Sequence, residues 1–438
     1  MLRSRSVCTG YLLILLNLTV PEQASAQGLQ LYGIGPVNRS MSGAATAAPI
    51  EAIGALVYNP ATLTSLDDQI SIGAEVVNPL GELTSSIPGV GSGTTDSDSG
   101  WFAVPSIGVA WQPDPDTPVT LGFGLYGLAG FALNYPADAS NPVLFPQTPS
   151  ATTPTAGFGN IYADISLLQI TPSVAMKLND QLSVAFGPTI MGGRAILSPF
   201  IFTATNDANG DSARTYPLGA GTQFSWALGF HAGVYWEDPC GWSFGAAYRS
   251  KQQFQNFKYN GTNELGFRDT FELPYDYPRT VSLGTAYTGM ERLLLAVDVR
   301  YLGWDDTSTT GDSPGFAPAP DLRITGLGWR DSWSINLGAQ YEICDCLAVR
   351  AGYAYGTSPI TDEYAGFNVG APLILEHSLS AGATVNLSDT FALNFAYYYA
   401  PPSTVSGNLQ GPTGPLAGTS VDYEVQAHSV SLGMAAKF

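Results

Sequence analysis

Charge is scarce in this sequence. Only 12% of residues are Asp, Glu, Lys or Arg, about half the share of an ordinary soluble domain. A surface bathed in water on every side is therefore a poor fit. Long apolar runs are missing as well. After residue 20 no stretch approaches the roughly 18 uncharged apolar residues that a membrane helix needs. Basic residues number 17 against 36 acidic ones, for a formal net charge of −19. That balance repels phosphate backbones and excludes nucleic acid as a partner. The acidic side chains are expected in surface loops, where they keep the chain soluble in transit. Histidine occurs only at 231, 377 and 428, and these positions are far apart. There is no serine elbow, no His-Glu metal motif and no phosphate loop. Catalysis, a metal and a cofactor are accordingly not expected. Cysteine is limited to Cys8, Cys240, Cys344 and Cys346. Cys344-Asp345-Cys346 is too thin for a zinc site, which wants four ligands. A local disulfide in an oxidising compartment and free thiols both remain open.

Apolar residues make up 45% of the chain, with 22 Tyr, 20 Phe, 8 Trp and 49 Gly among 438 residues. High aromatic and glycine content, low charge and no long apolar run together predict a transmembrane β-barrel. In such a barrel alternate residues face lipid and lumen. The N-terminus reads as a secretory signal over residues 1–26. Arg3 and Arg5 supply the basic region, Tyr11 to Val20 the apolar one, and Ala24-Ser25-Ala26 the cleavage site. Pro21 and Glu22 interrupt the run too early for an anchor. Cys8 lies within this segment.

From about residue 69 the pattern repeats. Leu293, Leu295, Val297, Val299 and Tyr301 alternate with Leu294, Ala296, Asp298 and Arg300. Trp333, Ile335, Leu337, Ala339 and Tyr341 alternate with Ser334, Asn336, Gly338 and Gln340, and Phe391 to Tyr399 behaves alike. The apolar set is expected towards lipid and the small or polar set inward. Short turns fall at Gln112 to Thr117, Asn179-Asp180, Asp238 to Gly241, Gly289 to Glu291, Cys344 to Cys346 and Ser388-Asp389. Longer polar loops lie between them. Short turns alternating with long loops predict periplasmic turns and outer loops. The expected architecture is all-β, an antiparallel transmembrane barrel of about fourteen strands over 69–438. Strand starts are expected near 69, 101, 118, 161, 181, 221, 241, 270, 291, 328, 346, 373, 389 and 421. The last strand ends in Phe438.

Residues 27–68 lack strand alternation, are rich in Ala, Gly and Ser, and are too few to form a domain alone. Their apolar content (Leu29, Ile34, Met41, Ile53, Leu56, Val57) argues against a solvated tail. Within them, Gly28 to Leu31, Asn38-Arg39-Ser-Met-Ser-Gly43 and Tyr58-Asn59-Pro60-Ala61-Thr-Leu63 resemble the N-terminal hatch of FadL/TodX-type transporters of hydrophobic compounds. Gly245 to Lys251, Pro278 to Gly284, Leu347 to Tyr353 and His377 to Gly382 resemble the family's later strands. The outer loops match least. The resemblance implies a plug inside the lumen, and a bacterial outer-membrane location. It implies passive uptake of hydrophobic small molecules such as long-chain fatty acids or aromatic hydrocarbons, by capture at outer loops, hatch movement and lateral release into lipid. It also implies a monomer whose partners are cargo and membrane lipid. A fatty acid gains about 0.8 kcal/mol per CH₂ on leaving water, which suits release into lipid.

Arg249, Asp298, Arg300 and Arg350 have inward parity and are the ligand-binding candidates. Arg249 and Arg350 could neutralise a carboxylate. The favoured alternative is that these charges pair with Asp298, Glu342 or the hatch and brace it. In the hatch, Arg39, Asn59, Pro60 and Ala61 stand out. Gly122, Gly124, Gly127 and Gly130 are candidates for a kink in the wall or for room beside the plug. An inward arginine pair points towards acids, and the low basic count points back towards hydrocarbons. A structural or adhesive barrel, a general porin and a barrel enzyme are the competing readings.

Overall fold

The computed structural model describes residues 28–438. The expected signal segment and Cys8 lie outside the described residues. Fourteen antiparallel strands close into a barrel. They are β1 (Gln69–Ile87), β2 (Phe102–Trp111), β3 (Val119–Tyr135), β4 (Ile161–Lys177), β5 (Leu182–Ser198), β6 (Ser225–Glu237) and β7 (Trp242–Arg249). They continue with β8 (Arg279–Met290), β9 (Leu293–Gly303), β10 (Ser332–Cys344), β11 (Leu347–Gly356), β12 (His377–Asn386), β13 (Phe391–Gly407) and β14 (Ser420–Lys437). Closure comes from β1, which pairs with β2 on one edge (Gln69 with Ala110) and with β14 on the other (Gln69 with Lys437). Closure leaves neither the first nor the last strand with an open side, as the interior of a membrane requires.

The two-residue period organises the wall. Along β9, Ala296, Asp298 and Arg300 are buried while Leu295 is exposed. Along β13, Leu393, Phe395 and Tyr397 are exposed while Asn394, Ala396 and Tyr398 are buried. At roughly 3.3 Å per residue, the 19 residues of β1 exceed what a tilted crossing needs, so β1 and its long neighbours project beyond the outer leaflet. One strand starts much later than its pattern suggested. The eighth was expected near 270, but Arg268–Leu273 joins Phe257–Thr262 and Leu218–Thr222 in a separate three-stranded sheet of the outer loops. The barrel strand begins only at Arg279, after Pro278. Alternation alone cannot distinguish the two sheets. Cys344 and Cys346 are joined as a disulfide in the β10–β11 turn.

The wall is discontinuous between β2 and β3. The β2–β3 ladder runs from Trp111/Leu121 only to Ser106/Tyr126. Beyond it β3 stays paired to β4, with a bulge between Gly127 and Ala129. The contact resumes where Asp98 N donates to Asn134 O at 2.7 Å and Asn134 N donates to Ser97 Oγ at 3.0 Å. Between these limits β3 presents a free edge. Gly127 is required at the lower limit, because a Cβ there would meet Val104 Cγ1 at 2.6 Å.

Candidate functional site

Residues 28–66 pack against inward side chains from many strands. They form the short helices α1 (Pro36–Arg39) and α2 (Ala52–Tyr58), then a 3-10 turn at Pro60–Ser65. Nearly all are buried. Glycines in the wall admit them: a Cβ at Gly233 would lie 2.0 Å from Asn59 Oδ1. Asn59, Pro60 and Ala61 form a junction. Asn59 Oδ1 accepts from Ala61 N at 3.1 Å and caps the turn that Pro60 begins, as Asn commonly does. Asn59 Nδ2 donates to Thr46 O at 2.8 Å and to Val234 O of β6 at 3.0 Å. One side chain thus ties two parts of the segment to the wall.

The four candidates on the wall all meet this segment or its surroundings. Asp298 Oδ2 accepts from Ala45 N and Thr46 N, both at 2.9 Å, and from Thr46 Oγ1 at 2.7 Å. Arg300 pairs with Asp298 at 2.8 Å, donates to Gly43 O and lies 3.8 Å above the Tyr58 ring. Arg249 donates to Val57 O. Arg350 donates to Gln340 Oε1 at 2.7 Å and to Thr384 Oγ1 at 2.8 Å. Arg39 donates to Tyr32 O at 2.8 Å, forms a 2.7 Å ion pair with Glu75 of β1 and stacks 4.6 Å from the Tyr398 ring. The structure therefore brings Asp298 and Arg300 together and holds Arg249, Arg350 and Arg39 at separate points around the segment. Of the histidines, His231 is buried with Nε2 at 2.8 Å from Ser173 Oγ, while His377 and His428 stack on outward-facing tyrosines.

Two apolar cavities lie above the anchored portion. One, of about 100 Å³, is lined by Tyr32, Arg39, Glu75, Phe102, Phe131 and Tyr398 among others. It reaches the free edge of β3. The second, of about 90 Å³, is bounded by Leu29, Phe131, Tyr259, Tyr275, Leu327 and Trp329 among others. Leu29 and Phe131 belong to both walls. The chain at Leu29 and Gln30 also occupies the free edge. Gln30 forms an isolated bridge with Ala129, and Gly130 N donates to Leu29 O at 3.3 Å. Gly28 then rests on Trp304 and Trp329, where a Cβ would come within about 3 Å of both rings. Sequence reasoning missed Glu75, Tyr275 and the two tryptophans. Inward parity marks Glu75 on β1, but nothing local marks residues that outer loops fold into a cavity wall.

Such a barrel, with apolar cavities meeting a break in its wall, invites comparison with known proteins. The description "Outer membrane protein transport protein (OMPP1/FadL/TodX)" matches residues 16–438. The chain belongs to the FadL/TodX family. Family members are bacterial outer-membrane transport proteins for hydrophobic compounds, not enzymes. Among solved structures, the toluene transporter TodX of P. putida superposes with a TM-score of 0.68 at 15% identity, covering 93% of this chain and 99% of its own. The Ralstonia pickettii toluene transporter TbuX gives 0.66 at 15% identity, with 93% and 99% covered. A Pseudomonas aeruginosa FadL homologue gives 0.65 at 16% identity, with 94% and 100% covered. At these identities the likeness concerns the fold. A search of the curated proteins finds no match. In the FadL/TodX setting, the wall of lipid-facing side chains and the free edge of β3 are the features that bear on transport.

Proposed function

We propose that this chain takes up small, uncharged hydrophobic compounds passively, with residues 28–68 acting as a hatch. Cargo enters the second cavity, the upper one beneath the outer loops. It passes Leu29 and Phe131 into the first cavity, and leaves sideways at the free edge of β3 once residues 29–32 move aside. The observation that carries this reading is that both cavities are apolar and, among the described residues, no unpaired cation faces them. Arg39, the one arginine in these two walls, is held by Glu75. Arg249, Arg300 and Arg350 spend hydrogen bonds on the hatch or on neighbouring strands. A carboxylate would have to displace Glu75 or remain buried without a partner, which is costly. Each cavity also approaches the scale of one aromatic ring; an engineered cavity of about 150 Å³ is enough for benzene. Lateral exit keeps an apolar cargo out of water along its whole route.

Uptake of labelled toluene and labelled oleate by proteoliposomes tests the reading. Toluene uptake well above that of empty vesicles, with little oleate uptake, is the expected result. Oleate uptake alone would reassign the cargo to fatty acids. Uptake of neither, with large steady ion conductance in a planar bilayer, would make the chain an open porin.

A further inference from the structure

The upper cavity contains a polar group that apolar cargo does not use. Tyr275 stands in its wall and is 4% exposed. Its hydroxyl is buried and has no hydrogen-bond partner. Two other hydroxyls in the same wall are committed. Thr309 Oγ1 donates to Pro274 O at 2.6 Å, and Thr310 Oγ1 lies 2.7 Å from Thr307 Oγ1. The Tyr275 ring is fixed from behind by Phe254 and Phe257, at centroid distances of 5.8 and 5.7 Å. Buried tyrosine hydroxyls ordinarily find a partner. An unpartnered one beside a ligand-sized cavity is suited to take its partner from the ligand.

We propose that the Tyr275 hydroxyl is a hydrogen-bonding subsite for a single oxygen atom on an otherwise apolar, uncharged ligand, such as an aryl alcohol, ketone or ester. The proposal rests on the transport reading above and narrows its substrate class. The hydroxyl donates to the ligand oxygen, while the hydrocarbon part fills the space between Leu29, Phe131 and Trp329. Burial pushes the Tyr275 pKa well above its usual value, so the group remains a proton donor throughout the physiological range. A parent hydrocarbon of the same shape would fit the cavity and leave the hydroxyl unpaired. Unpaired buried groups are the usual source of discrimination between a polar ligand and its apolar analogue.

The matched pair benzyl alcohol and toluene tests this on the purified full-length barrel. Affinities are measured by competition and corrected for each compound's partition into detergent. The wild type should prefer benzyl alcohol. Tyr275→Phe retains the ring and should weaken benzyl alcohol binding about fivefold to tenfold, the worth of one net hydrogen bond. Toluene binding should stay within about twofold. Heat-modifiable gel mobility verifies that the variant barrel is folded. Equal changes for both ligands, or an unchanged ratio, would overturn the subsite while leaving transport intact. Failure of the wild type to bind or import either compound would instead overturn the transport reading.

Discussion

The lower and upper parts of the interface between residues 28–68 and the barrel are built from different chemistry. In the lower part, backbone groups at 42–46 and 57 are held by Asp298, Arg300, Arg249, Asn336 and Asn59. These contacts are directional and buried, and losing one leaves a charge or a donor without a partner. In the upper part, residues 28–32 rest on Trp304, Trp329 and Phe131 and make one isolated bridge to β3. Those contacts are mostly dispersive and can slide. Under the uptake proposed above, the difference separates an anchor from a gate. The segment would open near the free edge of β3 without leaving the barrel, because most of its charged and multiple hydrogen bonds lie at the anchor.

The largest expected effect comes from the anchor. Asp298→Ala strands Arg300 in a buried site and removes the acceptor of two amides and one hydroxyl. The cost should be about 3–5 kcal/mol. Hydrogen exchange should then accelerate at 43–47, and bilayer conductance should rise. Unchanged protection at those amides would show that the lower contacts are not an anchor. Asn59→Ala removes the cap on Ala61 N and both donations from Nδ2. A loss of about 1–3 kcal/mol is expected, read as a lower unfolding midpoint in denaturant.

A pH effect sharpens the comparison further. Glu51, just before α2, is buried, with Ser71, the Asn38 backbone and Arg350 as its polar neighbours. Burial pushes its carboxyl up to about 7, against the opposing pull of Arg350. A raised carboxyl pKa weakens the folded state as pH rises. Below its ordinary 4.5 the group is protonated in both states, and the penalty is complete above about 7. Glu51→Gln should therefore slow hydrogen exchange around 51–55 at pH of about 8 and have little effect at about 4. A gain equal at both pH values would rule out this titration as the cause. The smallest stability change is expected from Leu29→Ala combined with Gln30→Pro, in the gate. Stability should shift by about 1–2 kcal/mol or less, while toluene uptake accelerates several-fold because Ala leaves space beside Phe131 and Pro disfavours strand-like pairing with β3. A stability loss matching that of Asp298→Ala would erase the distinction between the two parts.

Much of the barrel was legible from period-two alternation and loop lengths. The starts of β1 and β4 fall at the expected residues, and most others lie within a few positions. A strand buried on one side and facing lipid on the other must alternate, so its residues report their own orientation. The exception near 270 arose because an outer-loop sheet alternates in the same manner. Inward parity likewise identified Asp298, Arg300, Arg249 and Arg350 as buried wall residues. It could not tell which backbone groups they would hold, since Asp298 and Ala45 are 253 positions apart.

By itself the sequence determined the all-β wall, its alternation of lipid and lumen faces, the turn and loop sides, and an N-terminal segment too apolar to remain in water. These are local properties, fixed by side-chain type and spacing. Tertiary structure alone decided where the β2–β3 ladder stops, which chain segment covers the resulting edge, and which hydroxyl is left unpaired beside the cavity. Each of these depends on closure of the barrel and on distant loops meeting over it. The glycines of β3 announced that something would approach closely, but only the folded chain shows Val104 below, and Leu29 and Gln30 beside them.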